Sequence, residues 1–208
     1  MIYFISDTHF FHGNVIRFDN RPFETMNQMN DEMLKKWNAK VTPSDTVYIL
    51  GDYIWKTQDD KIEWAKQLNG KKRLIMGNHD FKNSSNKYKN LFESIKDYDE
   101  ITIPYNSPNG LIKCQPVILS HYYHPFYNKH RHDGIHLYGH SHVTQESFEE
   151  LFIQRWLNGK GYNTRAFNVG CMQPYMNYEP QTLEHIVEQG TKWKIEFFHE
   201  LNGGSNVS

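Results

Sequence analysis

Apolar runs and short polar clusters alternate along most of this chain of 208 residues. Strand-like apolar segments lie at 2–5, 46–50, 73–76, 116–119 and 135–138. Each leads directly into a polar cluster: Asp7-Thr8-His9, Gly51-Asp52, Gly77-Asn78-His79-Asp80, Ser120-His121 and Gly139-His140-Ser141-His142. Between the first strands the period lengthens. Met26, Met29, Met33, Leu34, Trp37 and Val41 recur at the spacing of one helix face, which predicts a helix over 26–41 capped by Thr25. A second helix is predicted over 58–68, with Ile62, Trp64, Ala65 and Leu68 on its apolar side and Gly70 ending it. A third, weaker pattern covers 87–95. Strand, helix, strand, helix, strand is the order of a parallel α/β sheet.

The second half has short strands at 101–103, 111–113, 117–119, 136–138 and 166–169, with few helices between them. The turn-rich link 106–110 predicts a hairpin. A helix is expected over 181–188 and a last strand over 191–198, where Trp193, Ile195 and Phe197 alternate. The expected architecture is α/β, two stacked mixed β-sheets flanked by helices, in one domain over 1–201 with a frayed tail at 202–208. Within it, 145–165 carries Phe148, Leu151, Phe152, Ile153, Trp156 and Leu157, then Asn158-Gly159-Lys160-Gly161. That stretch reads as a helix and loop serving either as a lid or as a dimer surface.

Composition narrows the partners. Hydrophobic residues at 38% and aromatics at 15% fit a folded globule. A net charge of −1 gives no global basic field for tight binding of duplex nucleic acid. No apolar run approaches the roughly 18 to 20 residues a membrane span requires. The apolar start runs straight into the first polar cluster, so a core strand is expected there rather than a signal peptide. Cys114 and Cys171 lack a C-x-x-C pattern, and reduced thiols in a cytoplasmic protein are expected.

If the strand ends share one rim, the clusters bring together three Asp, one Asn and five His. Imidazole and carboxylate are the usual ligands of divalent transition metals, and this set exceeds what one ion needs. A two-metal hydrolase site is the natural reading. One carboxylate can hold two cations through its two oxygens, and an Asn carbonyl is a neutral hard ligand suited to a site already rich in anions. His140 and His142, two residues apart, would share one side of a strand. Glycines before Asp52, Asn78 and His140 allow tight turns where a side chain would crowd the site.

The ordered set D-x-H, G-D, G-N-H-D, a lone His and G-H-x-H, running from Asp7 to His142, resembles the calcineurin-like metallophosphoesterase superfamily, in its small bacterial or phage form. The resemblance implies a four-layer sandwich. It also implies Asp7, His9 and His142 at one metal, Asn78, His121 and His140 at a second, and Asp52 bridging them. His79 would protonate the leaving group or hydrogen-bond the phosphate, with Asp80 orienting its imidazole. Two cations sharing a water would generate hydroxide for in-line attack on phosphorus. Manganese is the metal the family favours, and iron, zinc or nickel also suit the donor set. Asn168-Val169-Gly170 resembles the family's closing strand.

Substrate contacts are expected from the segment after the first motif: His12, Asn14, Arg17 and Arg21 for phosphate or base, with Phe10 and Phe11 as stacking surfaces. His124 is a further candidate, while His130, His132 and His136 read as loop or non-facing positions. The expected partner is a phosphate ester such as a nucleotide, with no membrane and with a homodimer conceivable through 145–165. A phosphodiesterase leads. The alternatives are a nuclease on short or single-stranded nucleic acid and a pyrophosphatase on nucleotide or lipid diphosphates. A dead binding scaffold is disfavoured because every expected ligand position is filled.

Overall fold

The computed structural model describes residues 1–80, 85–106, 110 and 112–201. Its first sheet has the order β1-β2-β3-β4, with β1 Ile2–Ile5, β2 Thr46–Ile49, β3 Lys71–Ile75 and β4 Ser94–Lys96 all parallel. Helices α1 Asn14–Phe18 and α2 Met26–Lys40 cross from β1 to β2, α3 Asp59–Ala65 from β2 to β3, and α4 Asn86–Lys89 from β3 to β4. Strands covered on both faces have no solvent side, so β1 and β2 are continuous apolar runs rather than alternating ones. Thr25 caps α2 as expected, its side chain accepting from the Gln28 N–H at 3.2 Å.

The second sheet has the order β5-β6-β7-β8, with β5 Tyr98–Asn106, β6 Ile112–Ser120, β7 Ile135–Tyr138 and β8 Arg165–Asn168. β5 and β6 form an antiparallel hairpin, and the remaining pairs are parallel. The middle of the predicted turn, 107–109, and the start of the predicted strand 111–113 lie outside the described residues, as does the predicted tail 202–208. Helix α5 Gln145–Gly159 precedes β8, and α6 Leu183–Leu201 follows it. Among the described residues no helix is long and apolar enough to cross a membrane.

The sheets meet just past the ends of β1 and β8. Ser6 pairs with Gly170 there, through Ser6 N–H to Val169 O at 2.8 Å and Cys171 N–H to Ser6 O at 2.9 Å. One apolar core joins Phe4, Ile49 and Leu74 of the first sheet to Val117, Leu137 and Phe167 of the second. This junction brings the C-terminal ends of strands from two sheets, not one, to a common rim.

Two expectations are corrected. The pattern at 87–95 supports only the short α4, and its end is β4, an edge strand pairing with β3. The predicted strand at 191–198 is instead the second half of α6, which also absorbs the predicted helix at 181–188. Trp193, Ile195 and Phe197 fit period two only locally. Leu183, Ile186, Val187 and Gly190 set the helical face that is buried, and Ile195 is left exposed. α5 lies beside α6, with Phe148 stacked on Phe197 at 5.5 Å, while Trp156 on its outer side is 62% exposed.

Candidate metal centre

The site begins with an unusual backbone. Asp7, His9, Asp52, His140 and His142 all have positive φ, between 47° and 70°. For residues with a Cβ this conformation costs on the order of 1 kcal/mol each and persists only where its surroundings enforce it. Here Asp7 N–H donates to Gly51 O and His9 N–H to Asp52 O, both at 3.0 Å, and His140 N–H to Asp7 Oδ2 at 3.0 Å. Each strand end thus turns sharply enough to send its polar side chains to the same place. Gly51, at φ +93°, is required by this packing, because a Cβ there would collide with the His121 imidazole.

Two groups of donor atoms result, Asp7/His9/His142 and Asp7/Asp52/His121, each with ligand atoms within 4.8 Å of one another. Asp52 Oδ2 lies 3.6 Å from His9 Nε2 and 3.7 Å from His121 Nε2, so this carboxylate faces both groups. Asn78 Oδ1 is 3.1 Å from His121 Nε2 and 3.1 Å from His140 Nδ1.

Hydrogen bonds at the back of the rings set which nitrogen is free. His121 Nδ1 is 2.8 Å from the Leu50 carbonyl, which only accepts, so Nδ1 carries the proton and Nε2 turns a lone pair toward Asn78 and Asp52. His142 Nδ1 is 2.8 Å from Asp19 Oδ1, which leaves Nε2 bare toward His9 Nε2 at 3.2 Å and Asp7 Oδ1 at 3.6 Å. Asp7 Oδ1 is buried and, among the described residues, has no hydrogen-bond partner. Acceptors therefore confront acceptors at the centre of the site, an arrangement that cations resolve.

The electrostatics agree. Burial and then the charge of Asp7 push Asp52 up to about 7. Burial and then His142 hold His9 well below the ordinary imidazole range, and burial followed by His121 lowers His140. His142 moves the other way: burial pulls it down, but the Asp19 hydrogen bond and the Asp7 charge outweigh that and raise it. Two buried carboxylates lie close together here and repel, and divalent ions would invert that balance.

The family model of calcineurin-like phosphoesterases matches residues 1–203. The chain belongs to the calcineurin-like phosphoesterase family. It is a metal-dependent phosphoester hydrolase, and its Asp and His groups suit the divalent ions the family implies. It is 33% identical over 196 residues to "Uncharacterized protein MJ1445" of Methanocaldococcus jannaschii, covering 93% of each chain. It is 30% identical over 164 residues to "Gene 66 protein" of Mycobacterium phage L5, covering 67% of this chain and 76% of that one. Among solved structures, the protein of unknown function AQ665 from Aquifex aeolicus superposes with a TM-score of 0.60 at 26% identity. That alignment covers 93% of this chain and 98% of the other.

Around the donor atoms of this phosphoesterase, several residues take places other than those expected. Arg21 is not at the surface to meet phosphate. Its fully buried guanidinium donates to Asp7 O and Thr8 O, each at 2.9 Å, and pairs with Asp19 at 2.8 Å. It thereby braces the first motif and the carboxylate behind His142. Asp80 was expected to orient His79. Its Oδ2 instead accepts from Asp52 N–H at 2.7 Å and Gly77 N–H at 2.9 Å, and its Oδ1 accepts from the Tyr88 hydroxyl at 2.9 Å. It ties two motif loops together. Phe10 is wholly buried between Tyr53 and Trp64, so it offers no stacking surface, and the half-buried Phe11 packs edge-on against Trp64.

His79 sits at the mouth, 36% exposed, its N–H donating to Asp52 Oδ1 at 2.9 Å and its Nε2 3.9 Å from Asp52 Oδ2. His12 lies next to His9, stacked on Trp55 at 3.8 Å. Burial and then the His79 charge push His12 down to about 4. Asn14 and Arg17 are exposed on α1. His124 is in a separate groove with Tyr98, Phe126 and Asn128. His136 is buried on β7, 2.7 Å from Ser120 Oγ, a non-facing position as expected. Three neighbours were not singled out from sequence: Asp19 behind His142, Trp55 against His12 and His79, and Tyr122 at 4.4 Å from the His140 ring. Only the position of Asp19 and Trp55 near the motifs hinted at them.

Proposed function

We propose that this phosphoesterase is a phosphodiesterase working with two divalent ions, manganese by preference. Asp7, His9 and His142 would hold one ion, Asn78, His121 and His140 the other, with Asp52 between them. The observation that carries this reading is the pair of donor groups sharing Asp7, with Asp52 Oδ2 3.6 Å and 3.7 Å from an imidazole of each. When bound, such ions polarise phosphoryl oxygens and lower the pKa of water between them.

The chain's own residues supply the rest. His79 is anchored through its backbone to Asp52 and by its ring edge-on to Trp55 at 4.8 Å. It is exposed enough to reach a leaving alkoxide and give it a proton. Asp80 positions Asp52 by holding its N–H, which makes it a positioning residue. Arg21 and Asp19 keep His142 aimed. A terminal phosphate dianion calls for added cationic contacts. Arg21, which contacts the first motif directly, is committed to backbone carbonyls and Asp19, while Arg17 is exposed on α1. This favours an ester with a single negative charge, a diester.

The test is hydrolysis of an aryl phosphodiester and an aryl phosphomonoester, with manganese and with chelator, by wild type and Asp52→Asn. Manganese-dependent cleavage of the diester, reduced at least about 100-fold in the variant, is expected. Preference for the monoester overturns the substrate class, and wild-type turnover by the variant overturns the role of Asp52. Extending the substrates to short single strands separates a nuclease from a phosphodiesterase of small molecules.

A further inference from the structure

Between α5 and α6, away from the candidate ligands, lies an open cavity of about 590 Å³. That is the size of pockets that enclose small organic molecules. Its walls are apolar at Leu151, Phe167 and Ile195 and cationic at Arg155, Arg165 and Lys194, and among the described residues no Asp or Glu lines it. Three cations without an acid are unusual in a chain whose net charge is −1.

The cations have little to neutralise them. Among the described residues no carboxylate comes within the 4.0 Å of an ion pair to Lys194 or Arg155, and Arg165 reaches Asp133 only at 4.0 Å. The Lys194 ammonium donates to Gln154 Oε1 at 2.8 Å and to Ala166 O, both neutral, and stands 4.2 Å over the Phe167 ring. Burial depresses its pKa to about 7, and the charge of Glu150, beyond ion-pair distance, offsets only part of that. It is also held in place: Gln154 is tied in turn to the Tyr138 hydroxyl at 3.3 Å. Arg155 lies over the Phe198 ring at 4.7 Å, a fixed fork at the rim.

We propose that this cavity is a binding site for a small amphipathic organic anion, its carboxylate, phosphate or sulfonate on Lys194 and its apolar body against Leu151, Phe167 and Ile195. The apolar walls supply burial and the ordered ammonium supplies orientation, so ligands lacking either part bind poorly.

The test is fluorescence titration of the full chain with 1-anilinonaphthalene-8-sulfonate, beside its neutral analogue N-phenyl-1-naphthylamine. Wild type is expected to take up one sulfonate per chain. Lys194→Met should weaken that binding at least tenfold while leaving the neutral dye unaffected. Thr191→Phe, which fills the cavity from an exposed position, should block both dyes at an unchanged melting temperature. The proposal fails if the sulfonate does not saturate, if its affinity survives both substitutions, or if the two dyes respond alike to Lys194→Met. It fails also if light scattering finds a dimer that excludes the dye, because the cavity then belongs to an interface between chains.

Discussion

Arg21→Met is the sharpest test of how the metal centre is held. The Arg21 side chain is 0% exposed and its partner Asp19 2%, so the pair is dry. Removing the guanidinium strands the Asp19 carboxylate and unpairs the carbonyls of Asp7 and Thr8, which it holds at 2.9 Å. Breaking a buried pair from one side costs about 3 to 5 kcal/mol. For a chain of this size that lowers the melting temperature by about 10 °C. The damage should also travel to the metal. Asp19 sets the His142 ring through a 2.8 Å bond, and loss of such support weakens metal binding about 10- to 100-fold. Thermal melting with and without manganese, and manganese titration by calorimetry, read both effects. A variant with wild-type melting and manganese affinity but a raised KM would refute this account and make Arg21 a substrate contact.

Asp19→Asn keeps an acceptor for His142 but not its charge, so manganese affinity should fall about tenfold with a smaller loss of stability than Arg21→Met; equal affinity would remove Asp19 from the site. Gly51→Ala must place a Cβ at φ +93° against His121, costing at least about 2 kcal/mol and most activity, measured by urea unfolding and diester hydrolysis. Burial raises Glu150 from 4.5 to about 7 while it accepts from Ser141 Oγ at 2.9 Å. A folded pKa above the unfolded one favours the native state fully below pH 4.5, and that contribution is lost as pH rises through 7. Gln is neutral throughout and accepts the same bond. Glu150→Gln should therefore match wild type near pH 4.5 and exceed it by about 3 kcal/mol at pH 9. A gap that does not change with pH in urea titrations would sink this reading.

The sequence alone carried the candidate donor residues and their order. Metal chemistry admits few residue types, and Asp7, His9, Asp52, Asn78, His121, His140 and His142 each follow an apolar strand at a spacing that local pattern reveals. Helix α2 was legible for the same reason, with its cap and its buried Met29, Met33 and Trp37 on one face. Local pattern fails where two periods coincide over a few residues, as in α6, where the burial of Leu183, Ile186 and Gly190 against the rest of the protein decides between strand and helix. It fails again wherever a side chain's role is set by a distant partner. Asp19 meets His142 across 123 residues and Asp80 meets Asp52 across 28, and nothing in the flanking sequence records either meeting. Arg21 looks like any basic residue beside a phosphate motif until packing seals it from water. The candidate ligands are thus written in residue type and spacing, which are local. The supports behind those candidate ligands, and the gathering of cations between α5 and α6, arise only when two sheets and their helices close on one another.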